Sequence, residues 1–134
     1  MSPSAGASLW KQYIQPLASQ GYRLISPAPT NAPSGKTWLK DFISACGGCT
    51  VDGIATHFYG TDAEALVSHL TDYHNTFGRP VWLTEFACQN FGGGAQCSKD
   101  QVYAFMKRTT QFMDAQNWMA FYAWFGGYLS FASL

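Results

Sequence analysis

Glu85 ends the apolar run Val-Trp-Leu-Thr at 81–84 and leads through Phe-Ala-Cys-Gln into a glycine-rich stretch at 92–94. A carboxylate set between Trp82 and Phe86 is expected to lose solvent, and a buried charge needs either an offsetting partner or a function. Arg79 is the plain structural partner. The sequence has one other glutamate, Glu64. It is the third helical residue of a Thr-Asp-Ala-Glu capping box at 61–64, where its simplest task is to receive the Thr61 N–H, with Asp62 complementing the helix dipole. His57 and Tyr59 close the apolar run before Glu85. An imidazole and a phenol there supply donors for a carboxylate or a sugar hydroxyl. Trp124 offers a flat face for pyranose C–H groups, with core packing as its alternative. Asn31 and Tyr122 complete the candidate sugar-contacting set, whereas Trp82 reads as core and His69 and His74 as surface residues of one helix.

Positioning such groups needs alternating elements. Ser2-Pro3 is an N-cap with proline at the first helical position, and Leu9, Trp10, Tyr13, Ile14 and Leu17 recur at helical spacing until Gly21, with Pro16 expected to kink or shorten the run. Further helices are expected over about 37–45, after the 61–64 box, and after the Ser-Lys-Asp-Gln box at 98–101. Strand character appears at 22–26, 53–58, 80–86 and 118–125. Helix leading into β run predicts an α/β fold with a parallel sheet, and continuously apolar strands predict cover on both faces. Ser26, His57, Tyr59 and Glu85 cluster where these strands are expected to end, the edge at which (β/α)₈ barrels carry their chemistry.

With 134 residues and 47% of them hydrophobic, the chain forms one domain. Eight basic residues balance eight acidic ones without a basic run, which removes the footprint of a nucleic-acid or anionic-membrane binder. No apolar run approaches the roughly 20 residues that span a bilayer, and no basic segment followed by an apolar block opens the chain. Four cysteines allow three pairings; Cys46 with Cys49 and Cys88 with Cys97 is favoured, as in a secreted protein. A Cys₄ zinc site fits less well because the second spacing is too wide, and Cys46-Gly-Gly-Cys49 closes a helix where redox pairs open one. No metal or cofactor is implied.

Four stretches resemble glycoside hydrolase family 128 in register: Ser-Pro-Ala-Pro at 26–29, Ile-Ala-Thr-His-Phe-Tyr-Gly at 54–60, Trp-Leu-Thr-Glu-Phe-Ala at 82–87 and Phe-Tyr-Ala-Trp-Phe at 121–125. The resemblance implies a secreted or cell-wall retaining endo-β-1,3-glucanase built as a (β/α)₈ TIM barrel, of which residues 1–134 supply about the last four strands with their helices. It places Glu85 at the nucleophile's position and puts the acid/base glutamate on a strand that precedes Met1, so the chain is expected to be inactive alone. A β-glucan-binding protein that no longer cleaves is the alternative. The expected partner is a β-glucan oligosaccharide or polysaccharide, and two open sheet edges make a homodimer possible. Residues 127–134 depart from the family as a divergent tail.

Overall fold

A computed structural model describes residues 1–126; the divergent tail at 127–134 lies outside the described residues. Three strands, β1 (Ile54–Gly60), β2 (Val81–Cys88) and β3 (Met119–Trp124), form a parallel sheet in the order β1-β2-β3. The expected strand at 22–26 contributes one parallel bridge, Ile25 to Gly53. Gly53 permits that approach, because a Cβ there would stand 3.0 Å from both Ile25 and the Trp82 ring.

Four α-helices carry the connections. The first, α1 (Pro3–Leu9), starts at Ser2, whose hydroxyl accepts from Ala5 N–H, and continues as a π turn over Trp10–Ile14 and a 3₁₀ turn over Gln15–Gln20. The widening falls just before Pro16, which lacks the N–H that an uninterrupted α-helix needs. Next, α2 (Pro33–Cys46) begins four residues before the expected span, with proline at its first position. Between the strands run α3 (Ala63–Phe77) and α4 (Lys99–Asp114). Ser98 and Gln101 form the reciprocal capping box expected of them. At α3 the cap is Asp62, which accepts from Glu64 N–H, while Glu64 binds Arg108 through both carboxylate oxygens at 2.6 and 2.9 Å. Both Thr61 and Asp62 can cap; the extended backbone at Asp62 selects it, and this corrects the role expected of Glu64. Gly78 ends α3 in the left-handed conformation, at φ 60°.

Burial divides the sheet's faces. Phe58, Val81, Leu83, Phe86 and Cys88 pack with Leu66 and Leu70 of α3 and with Phe105 and Met113 of α4. A second cluster joins Ala7, Trp10, Leu39, Phe42 and Cys46 to Ile54 and Tyr73, tying the first two helices to the start of β1. The opposite face carries His57, Tyr59, Trp82, Glu85 and Phe121. It is only partly covered, contrary to the expectation of cover on both faces; Phe121 is exposed. The homodimer expected from the open edges finds no support in these contacts. Disulfides join Cys46 to Cys49 and Cys88 to Cys97, and no described helix is long and apolar enough to cross a membrane.

Candidate functional site

Register brings the candidate residues together. His57 pairs with Glu85 across the sheet, and the pairing skips Thr84, so a bulge in β2 turns Thr84 and Glu85 out of simple alternation. One strand residue after another then alternates as Ala55, His57 and Tyr59 on the open face. Both strands run past these groups, to Gly60 and Cys88, so the polar residues lie within the strands and not at their last positions.

Tyr59 O–H donates to Glu85 Oε2 at 2.6 Å, and His57 Nδ1 stands 3.4 Å from the same oxygen. Among the described residues Oε1 of Glu85 has no hydrogen-bond partner. The Glu85 side chain is 36% exposed and His57 26%, so the carboxylate is less desolvated than its apolar neighbours in sequence suggest. Arg79, the structural partner expected for it, donates through Nη1 to the Phe77 carbonyl at 3.4 Å. Burial first, and then the bond to Glu85, raise the Tyr59 pKa well above the usual phenol range. The phenol therefore stays protonated and remains a donor throughout ordinary pH.

Asn31 is placed one step away. Its amide oxygen accepts from Tyr59 N–H at 3.3 Å and its amide N–H donates to the Tyr59 carbonyl at 3.2 Å, so it clamps the backbone that carries the phenol. Trp124 aligns with Phe86 and packs edge-on against it and against Phe105, at centroid distances of 5.1 and 6.3 Å; it also lines a depression beside Tyr59. Tyr122 leaves the cleft altogether. It aligns with the buried Leu83, meets Phe86, and donates to Asp114 Oδ1 at 2.8 Å, because strand alternation sends it toward the helical layer.

His69 corrects a sequence expectation. Its Nε2 stands 2.8 Å from Thr56 Oγ1 and its ring lies against Tyr73, so it is a packed residue and not a surface one. Burial pushes its pKa down to about 4, with Asp72 opposing and Lys36 adding to the shift. Thr56 immediately precedes His57, so this bond links α3 to the strand segment that presents the imidazole. His74 stacks on Trp118 at 4.6 Å, and Trp82 stacks on Phe121 at 5.3 Å on the open face, not in the core. Two aromatics absent from the sequence-based set, Phe91 and Phe125, meet the Tyr59 ring at 4.9 and 5.6 Å. A solitary phenylalanine inside a glycine-rich loop is the signal that Phe91 offered.

The other carboxylates serve elsewhere. Asp52 accepts from Leu24 N–H, Asp62 caps α3, Asp72 binds Lys36, and Asp114 accepts from Tyr122. Asp41 lies on α2 and Asp100 in the first turn of α4. No group of three or more His, Cys, Asp or Glu among the described residues is placed to hold a metal ion. The parallel β/α sheet thus presents a carboxylate, a phenol and an imidazole together on one face.

Comparisons with known proteins identify the family and the fold. A sequence model of the glycosyl hydrolase catalytic core matches residues 1–133. Alkali-sensitive linkage protein 1 of Schizosaccharomyces pombe is 40% identical over 124 residues, covering 91% of this chain and 23% of that protein. A family 128 subgroup VI exo-β-1,3-glucanase from Aureobasidium namibiae superposes with TM-score 0.86 at 26% identity, over 98% of this chain and 52% of its own. A subgroup I endo-β-1,3-glucanase from Amycolatopsis mediterranei, solved with laminaripentaose, gives TM-score 0.78 at 34% identity, over 93% of this chain and 54% of its own. The chain belongs to the glycosyl hydrolase catalytic core family, and within it to glycoside hydrolase family 128. It spans about half the length of the glucanase structures it matches. The fold is accordingly part of a TIM-barrel-like domain.

Proposed function

We propose that this chain carries the nucleophile side of a retaining β-1,3-glucan hydrolase site, of the kind that acts on cell-wall glucan outside the cell. The observation that carries the reading is the convergence of Tyr59 and His57 on one oxygen of Glu85, with the other oxygen unengaged among the described residues. Oε1 of Glu85 attacks the anomeric carbon and forms a glycosyl-enzyme ester, while Tyr59 holds Oε2 and fixes the carboxylate's rotation. The glycosidic oxygen leaves with a proton, and water then cleaves the ester. The two disulfides suit an oxidising compartment.

Protonating the leaving oxygen takes a second carboxylate about 5 Å from the first. Each of the seven remaining acidic residues of the eight in the sequence is engaged away from Glu85 or carried on α2 or α4. The acid/base therefore comes from outside these residues, and the chain by itself binds glucan without turning it over. That same absence favours, as the second reading, a non-catalytic β-glucan-binding protein.

The test is reducing-sugar release from a soluble β-1,3-glucan, measured beside Glu85→Gln, together with laminaripentaose titration followed by NMR. Shifts at His57 and Tyr59 with no sugar release agree with the proposal. Release that Glu85→Gln abolishes would mean that an acid/base is supplied after all. No saturable shift at either residue would overturn the glucan reading.

A further inference from the structure

The loop between Cys88 and Cys97 forms a built feature next to the carboxylate. The disulfide closes its base. Within it, Asn90 N–H donates to Gln96 Oε1 at 2.9 Å, Gln96 Nε2 donates to the Asn90 carbonyl at 2.6 Å, and Gly92 N–H donates to Asn90 Oδ1 at 2.8 Å. These bonds hold Phe91 at the tip with 71% of its surface exposed, and Phe125 faces solvent at 51%. Both rings meet Tyr59 edge-on, at interplanar angles of 67° and 85°. Tyr59 is itself bonded to Glu85. A depression of about 450 Å³ lies among Tyr59, Gln89, Phe91, Val102, Trp124 and Phe125. That volume is within the range of small-molecule clefts, and its lining combines apolar rings with the Gln89 amide and a phenol, the mixture that a pyranose with its C–H faces and hydroxyl rim requires.

The constrained loop holds an exposed phenylalanine in contact with the residue that orients the candidate nucleophile. We propose that Phe91 and Phe125 form the walls of a second sugar subsite beside Tyr59, the residue bonded to Glu85, and that the Cys88–Cys97 disulfide fixes Phe91 as the wall that accepts a neighbouring glucosyl unit. The inference rests on the glucan reading of the Glu85 site and deepens it. It names Phe91 as a contact residue for a unit other than the one that Glu85 attacks. Because the loop is cross-linked before ligand arrives, little ordering is left to oppose binding.

Laminaripentaose binding to the intact chain, followed by NMR with labelled phenylalanine, tests it. Cross-relaxation between Phe91 ring protons and sugar C–H protons is expected, a signal that a purely structural residue would not give. Phe91→Ala is expected to weaken binding about tenfold, as losing part of the burial of one aromatic ring implies, and Phe91→Trp to preserve it. Cys88→Ser combined with Cys97→Ser is expected to weaken binding by a similar factor, with no further loss when Phe91→Ala is added. Phe91 lies on the surface, so its two variants read the subsite even if the cysteine pair proves necessary for folding. Shifts at His57 and Tyr59 with unchanged affinity in Phe91→Ala and no ring contact would overturn the subsite and leave the glucan reading intact. No binding by the parent chain would overturn both.

Discussion

The Tyr59 hydroxyl and the His57 ring both stand at Oε2 of Glu85, so the geometry differentiates two chemically equal oxygens. The shorter contact, from Tyr59, is the one that sets the carboxylate's rotation. Replacing Tyr59 with Phe should slow any reaction at Glu85 about tenfold, the usual size of one lost bond to a charged group, while thermal unfolding barely moves. Comparing the rate of covalent modification at Glu85 with the melting temperature checks this. His69 makes a different prediction. Its folded pKa of about 4 lies below its value in the unfolded chain, near 6.5. A lowered folded pKa means that the unfolded state binds the proton more readily, so the contribution is fully present above about pH 6.5 and is lost as pH falls toward 4. Urea unfolding should show the parent losing on the order of 2 kcal/mol more than His69→Gln between pH 7 and pH 4. Equal losses would mean that His69 is not held neutral. The surface reading of His69 passed over a signal of burial, since Leu66, His69, Leu70 and Tyr73 follow helical spacing on one face.

The helices and strands were easier to read than their ends. Caps such as Ser98 and apolar periodicity located α1, α3 and α4, because these signals are local. The cap at α3 was misplaced by one residue, since Thr61 and Asp62 are both capable and only the backbone conformation decides. Strand orientation was the harder matter. A run such as Met-Ala-Phe-Tyr-Ala-Trp at 119–124 is apolar on both faces, so sequence does not say that Tyr122 turns to the helices and Phe121 to the open side. The bulge at Thr84 shifts the register beside Glu85 and has no local signature. Two substitutions separate cap from ion pair. Ser98→Ala should cost about 1 kcal/mol by denaturant unfolding, through loss of the capping box. Arg108→Ala, which removes a pair whose side chains are 43% and 63% exposed, should cost well under 1 kcal/mol.

On the scale of the whole molecule, the cover is uneven. A strongly apolar depression lies away from Glu85, between α1 and the segment at 25–27, with Leu9, Trp10, Tyr13, Ile25 and Trp38 along it. No carboxylate lines it. Leu9 and Tyr13 stand 42% and 61% exposed there, and the bridge at Ile25 leaves the adjoining edge almost unpaired. Surface of this kind promotes association between chains. Light scattering should show association that rises with concentration, and Leu9→Glu with Tyr13→Lys should suppress it without lowering the melting temperature. Membership of glycoside hydrolase family 128 was legible from four short motifs; how much of the sheet face lies open was not, because cover depends on what packs where.

The central claim is that Glu85 is the nucleophile of a retaining site. It is tested most directly by exposing the chain to a dinitrophenyl 2-deoxy-2-fluoro-β-laminaribioside, whose leaving group departs without an acid, and following intact mass and peptide mapping. The account predicts one glycosyl adduct, on Glu85 and absent in Glu85→Gln. An adduct on another residue, or none on the folded chain, would contradict it.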